Sequence, residues 1–190
     1  MVWPLAYSSY FPNDAIRTRP GHLIELIHCR VSDLGKLSAV REYRPFPIWA
    51  VFPAIFFAVL LAHWPLLRLP YYWDEAGYYI PAAMDFFRTG SLIPFSTLSN
   101  AHPPLPSIYL ATAWKLFGFS PLVTRVAMCC VASLALTAVW DLALVTTGRQ
   151  SVAVATVGLT AIYPVFFAQS SLAHADLFAA AATLWALPFC

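Results

Sequence analysis

Three features of the chain predict an all-α membrane protein with several transmembrane helices and a large first extracytoplasmic loop carrying short interfacial helices. Of 190 residues, 60% are hydrophobic and only 11% are charged, and the mean hydropathy is +0.67; soluble domains carry about 25% charged residues. Residues 46–67 hold no charge over 22 positions, and about 20 apolar residues cross a bilayer as a helix. Further uncharged stretches follow at 126–140, at 151–173 and from 177 onward.

The elements follow in order. Residues 1–44 are mixed in polarity, lack an apolar stretch resembling a signal-peptide core, and form a cytoplasmic N-terminal segment ahead of a membrane domain over 45–190. Arg30, Lys36, Arg41 and Arg44 precede the first span within about 15 residues, the window in which positive charge sets orientation. Beyond the span only Arg68 and Arg88 oppose them, so the N-terminus is placed inside and the loop at about 70–120 outside. Within that loop Ile80, Ala83, Met84 and Phe87 recur at helical spacing, predicting an interfacial helix over 75–88 with Asp74 as N-cap, Pro81 as a kink and Gly90 as its stop.

The prolines after His102 lead into a helix over 107–117 that ends at Gly118. Its 11 residues give about 16 Å of helix against roughly 30 Å of hydrocarbon, too little to cross. A second span is predicted at 121–147, with Arg125 reaching the headgroups along its own stem. A turn at Gly148, Arg149 and Gln150 leads to a third span at 151–173, and a fourth begins at 177. With one crossing each, Asp74, Glu75, His102, His174 and Asp176 all emerge on one face.

Ionisable groups beside a membrane interior are costly and usually have a task. Two adjacent carboxylates with nearby histidines, Arg88, Lys115 and Arg125 could deprotonate a hydroxyl nucleophile and hold an anionic leaving group. Each residue also has an ordinary reading. Asp74, Glu75 and Asp176 could cap helices, the histidines could be surface loop residues, and Tyr71, Tyr72, Trp73, Tyr78 and Tyr79 could anchor the interface. Asp141 reads as structural. Cys29, Cys129, Cys130 and Cys190 lack metal or disulfide spacing and read as small apolar fillers. A net charge of +2 without a basic run argues against a nucleic-acid partner.

Trp73-Asp74-Glu75 with Tyr78, then His102-Pro103-Pro104-Leu105, Leu116-Phe117-Gly118 with Arg125, and Asp176 opening a membrane helix, occur in this order. Together they resemble the C-type superfamily of integral-membrane glycosyltransferases, in the branch of dolichyl-phosphate-mannose protein mannosyltransferase homologues and lipid A aminoarabinose transferases. The resemblance covers about residues 47–190. It implies inverting transfer of a sugar from a polyprenyl-phosphate donor to a lipid, glycan or protein acceptor, on the extracytoplasmic face of a bacterial inner or plasma membrane. It makes Asp74 the general base, Glu75 a supporting or metal-side carboxylate, and Asp176 a second acid shaping the donor and acceptor pocket. It sets His102 on the donor phosphate and Arg125 on the loop or lipid phosphate, with Tyr78 in the motif. His174 joins the substrate-binding set by position alone. Some members use a divalent ion and others do not, which leaves the metal open.

Family enzymes have many more spans, so a fragment that is inactive alone is the expectation for this chain. A transporter or lipid-binding protein is the competing class. It would show spans broken near the midplane by glycine or proline, with charges inside them; an inactive remnant is a third reading.

Overall fold

In an apolar environment every backbone N–H and C=O must be paired within its own segment, which leaves the helix as the form for charge-free stretches. The computed structural model describes residues 47–98 and 103–187, and these are helical, with no strand among them. Residues 1–44 of the expected cytoplasmic segment lie outside the described residues, as does His102.

Helix α1, Ile48–His63, continues into a 3-10 turn at Trp64–Leu66. Its Trp49, Phe57, Leu61 and Trp64 side chains point away from the other helices, while Val51, Val59 and His63 are buried against them. Both His63 ring nitrogens sit 2.9 Å from carbonyl oxygens, those of Val59 and Phe167. A neutral imidazole can donate to one of them, an imidazolium to both.

After α1 come a widened turn at Glu75–Tyr79, α2 at Ile80–Thr89, α3 at Leu105–Phe117 and α4 at Pro121–Thr147. The last is the central helix. Ser120 caps it by accepting from the Val123 N–H at 3.2 Å, Pro121 fills its first position, and Gly148 ends it at φ +65°. Its 27 residues make about 40 Å of helix. Among the described residues, Trp49–Leu66 and Pro121–Thr147 are the two helices long and apolar enough to cross a membrane. Helix α4 packs against α1, α3, α5 (Gln150–Ile162) and α7 (Ala175–Ala186). Small buried residues, Ala127, Cys129, Ala132, Ser133 and Ala135, let the neighbours approach closely. The Ser133 and Thr137 hydroxyls donate back to carbonyls one turn earlier, both at 2.7 Å, so neither is left unpaired in the core.

Three expectations need correction. The stretch 151–173 is not one helix: α5 stops at Ile162, Tyr163 is extended at ψ 124°, and α6 runs over Pro164–Gln169. Proline excludes the helical conformation from the residue before it, which accounts for the break. Arg125 does not reach toward headgroups; it is 1% exposed. Asp74 does not cap the interfacial helix, since it is itself helical at φ −61° and ψ −28° and its side chain makes no capping bond. An N-cap needs the extended conformation that folds its side chain over the first turn.

The interfacial helix is otherwise as its spacing predicts. Ile80 and Ala83 are buried, Met84 and Phe87 pack against the same core, and Gly90 closes it at φ +73°. Pro81 lies in the first turn of α2, directly after the widened turn at Glu75–Tyr79.

Asp85, on the buried side of α2, ties down the following loop. Its Oδ2 accepts from the Phe95 and Ser96 N–H groups, both at 2.8 Å, and from the Ser96 hydroxyl at 2.9 Å. Burial pushes its carboxyl up, but these donors and the nearby Arg88 outweigh burial and hold it below the usual carboxylate value. A value lower in the folded than in the unfolded state gives stability that is present above the unfolded value and lost as pH falls through the folded one, below about pH 4. Thermal unfolding between about pH 3 and pH 6 should therefore show Asp85→Asn less stable at the upper end and flatter toward acid than the wild type. Parallel curves would contradict this.

Candidate active site

The loop after α1 returns to the protein through one residue. Glu75 is fully buried, and Arg125 approaches it from the second turn of α4. The guanidinium donates to both carboxylate oxygens, Nη1 to Oε1 at 2.6 Å and Nη2 to Oε2 at 2.9 Å. Oε1 also accepts from the Ala173 N–H at 2.6 Å. Arg125 donates further to the Ser171 carbonyl at 2.8 Å and the Pro70 carbonyl at 3.0 Å. Three separate stretches, 70–75, the start of α4 and 171–173, are thus joined at one charge pair. Paired two-point geometry of this kind gives orientation as well as strength.

Aromatic and hydroxyl groups extend the junction. Tyr71 lies under the Arg125 guanidinium at 5.7 Å, and its hydroxyl is 2.6 Å from Thr124 Oγ1, which also accepts from the Trp114 indole at 2.9 Å. Burial pushes the Tyr71 phenol up, against the pull of Thr124 and Arg125, so it stays protonated at neutral pH.

With Glu75 drawn inward, its neighbour Asp74 is left facing solvent. Trp73, just before Asp74, takes a left-handed conformation at φ +53°, which is the one positive φ outside glycine among the described residues. A bulky residue held there stores roughly 1–3 kcal/mol, and Trp73 is exposed, with little packing to offset it. Trp73→Gly should therefore raise thermal stability by up to about 1 kcal/mol, after allowing for the freer unfolded chain. A drop in melting temperature would mean that the indole makes a stabilising contact after all.

The widened turn then brings Tyr79 round beneath Asp74. Its bond runs from the Ile80 N–H to the Glu75 carbonyl, five residues apart. Residues five apart, such as Asp74 and Tyr79, then lie closer to one face than in an ordinary helix. Tyr79 meets the start of α7 from the other side. The His174 ring stacks on it at 5.2 Å and 28°, and the Ala175 backbone hydrogen-bonds its hydroxyl. Burial pushes the Tyr79 phenol up, and the charges of Asp176 and Asp74 push it further in the same direction. Both aspartates, each exposed to solvent, therefore lie within electrostatic reach of one hydroxyl.

Of the residues read from sequence, His174 and Tyr78 pack on Tyr79, whereas Asp74 and Asp176 act on it through their charges and, like His174, do not line the cavity beside it. Tyr78 meets the Tyr79 ring edge-on at 5.1 Å. Glu75 and Arg125 lie behind, committed to each other. Arg125 therefore supports the loop rather than contacting a lipid phosphate, and Glu75 has its oxygens occupied by protein donors. Among the described residues no three His, Cys, Asp or Glu side chains gather where a metal ion could be held. Tyr79, Thr124 and Trp114 were not legible as site residues, since each depends on a contact distant in sequence or on the widened turn.

A cavity of about 160 Å³ opens beside this cluster. Tyr78, Tyr79, Ala82 and Phe86 form one wall, Ser91 to Pro94 another, and Pro103, Pro104, Pro106 and Ser107 a third. Its lining of rings and hydroxyls suits a small polar ligand with apolar faces. Asp176 begins α7 without capping it, the cap position being His174. Searches against family models, curated proteins and solved structures return no match to this chain.

Proposed function

We propose that this chain carries the extracytoplasmic acid cluster of a membrane glycosyltransferase that moves a sugar from a polyprenyl-phosphate carrier to an acceptor hydroxyl. The observation that supports this reading most is that Tyr79, a wall of the cavity, stacks on His174 at the start of α7, while Asp74 and Asp176 stay exposed on the two segments that meet there. Both acids remain solvent-facing while the neighbouring Glu75 is locked away, so the pair available for chemistry comes from two distant parts of the chain. In this reading the chain is multi-pass, with its N-terminus inside and the Tyr79 cluster at the outer surface.

The reaction asks little covalent chemistry of the protein. The acceptor hydroxyl passes its proton to a carboxylate oxygen of Asp74 as its oxygen bonds to the anomeric carbon from the face opposite the phosphate. The bond from that carbon to the phosphate oxygen breaks, and its electron pair leaves with the polyprenyl phosphate, inverting the centre. Asp176, His174 and the protonated Tyr79 position the sugar and acceptor hydroxyls, where orientation supplies much of the rate. By the resemblance, His102 is the candidate for the departing phosphate.

A second reading, a carrier of lipid or ions, draws support from the break in the apolar stretch at Tyr163 and Pro164. Tyr163 is exposed and neither it nor Pro164 is charged, so the break itself brings no charged side chain to such a carrier. Proteoliposomes containing the whole product of the gene, with any further spans it encodes, and supplied with polyprenyl-phosphate mannose or polyprenyl-phosphate aminoarabinose separate the two. Release of polyprenyl phosphate with an inverted glycosidic product supports the transferase. Donor that crosses the bilayer unconsumed would favour the carrier and overturn the transferase.

A further inference from the structure

The loop after α2 is unusual in composition for a surface segment. Leu92, Ile93, Phe95 and Leu98 are 57, 70, 68 and 86% exposed, four large apolar side chains within eight residues. Contiguous exposed apolar patches on soluble surfaces mark places where something else binds. Several of its polar groups, by contrast, are tied down from within. Asp85 takes the Phe95 and Ser96 N–H groups, Ser91 Oγ both donates to the Ile93 carbonyl at 2.9 Å and accepts from the Ile93 N–H at 3.3 Å, and the Thr97 hydroxyl donates to the Gly77 carbonyl at 2.8 Å. Irregular backbone does not enter the hydrocarbon facing lipid, so this backbone belongs at headgroup level, where water serves its remaining groups, and only its apolar side chains reach deeper.

We propose that this loop is a wedge inserted into the bilayer, with Ile93 and Phe95 in the acyl region and Arg88, exposed at the end of α2, at the level of anionic phosphates. Three observations choose a bilayer as the occupant. The loop lies between the two helices that, among the described residues, are long and apolar enough to cross a membrane, and crossings by both would bring it back to the bilayer surface on either side. Its apolar side chains continue the amphipathic helix α2, whose buried face is already filled. The one charge exposed from α2 through Leu98 is the positive Arg88, complementary to anionic headgroups, since Asp85 is buried beneath the loop. The same loop forms a wall of the cavity, so its depth sets how near the cavity lies to the acyl chains.

The wedge rests on the membrane crossings and not on the transferase reading, and its test is independent of activity. Phe95, and separately Ile93, is replaced by p-benzoylphenylalanine, and the full chain is reconstituted in phosphatidylethanolamine and phosphatidylglycerol vesicles with radiolabelled acyl chains. The same replacement at Phe57, exposed on α1, is the lipid-facing reference, and at Arg149, exposed in the turn before α5, the water-facing one. On illumination, lipid adducts at 93 and 95 should come within about threefold of those at 57 and exceed those at 149 by about tenfold. Two positions are used so that one poorly folded variant leaves the other readable. Adducts to protein, whether a second copy or another chain, would overturn the proposal, as would yields no higher than at 149.

Discussion

Arg125→Ala is expected to cost about 3–5 kcal/mol of folding stability, because it leaves the Glu75 carboxylate as an uncompensated charge in the interior. Arg125 is 1% exposed and Glu75 fully buried, so water cannot take the place of the lost partner. The loss reaches further than one pair, since the guanidinium also holds the Ser171 and Pro70 carbonyls. Replacing both charges, as in Glu75→Leu with Arg125→Met, should recover most of the stability, since apolar residues of similar volume often substitute for a buried pair at little cost. The double variant should nevertheless be inactive, because nothing then fixes the loop that carries Asp74. Thermal unfolding in detergent checks the first effect. An Arg125→Ala protein that melts with the wild type would show that the pair does not hold the site together.

Asp74→Asn is expected to lower sugar transfer by about 10²- to 10⁴-fold, the usual contribution of a positioned general base. Its fold should be unaffected, since Asp74 is exposed and makes no capping bond. Asp176→Asn should fall less, because Asp176 positions ligands rather than taking the proton. The comparison separates chemistry from support: Arg125→Ala loses activity with stability, and Asp74→Asn loses activity alone. Transfer unchanged in Asp74→Asn would remove it from the base role.

The helices were legible in the sequence to the extent that their causes are local. A charge-free stretch, Ser120 with Pro121, and glycines at 90, 118 and 148 act within one or two turns, and the boundaries of α4 match the prediction. The junction was not legible in the same way. Arg125 near a helix end reads as a residue seeking headgroups, and only its partner fifty positions earlier turns it inward. Glu75 and Asp74 look alike in sequence, yet Arg125 and the Ala173 N–H hold one inward while the other stays exposed. Tyr79 read as an interface anchor, since its register depends on the widened turn. The break at Tyr163 was in plain view as a proline, but the uniform hydropathy around it favoured a single helix.

The most direct test of the account asks whether the two exposed acids share one side of the membrane. Single cysteines, Asp74→Cys and Asp176→Cys, are placed in a chain whose Cys29, Cys129, Cys130 and Cys190 are replaced by alanine. Each is challenged with an impermeant maleimide from either side of sealed membranes. The account predicts that both label from the same side, the outer one; labelling from opposite compartments would contradict it.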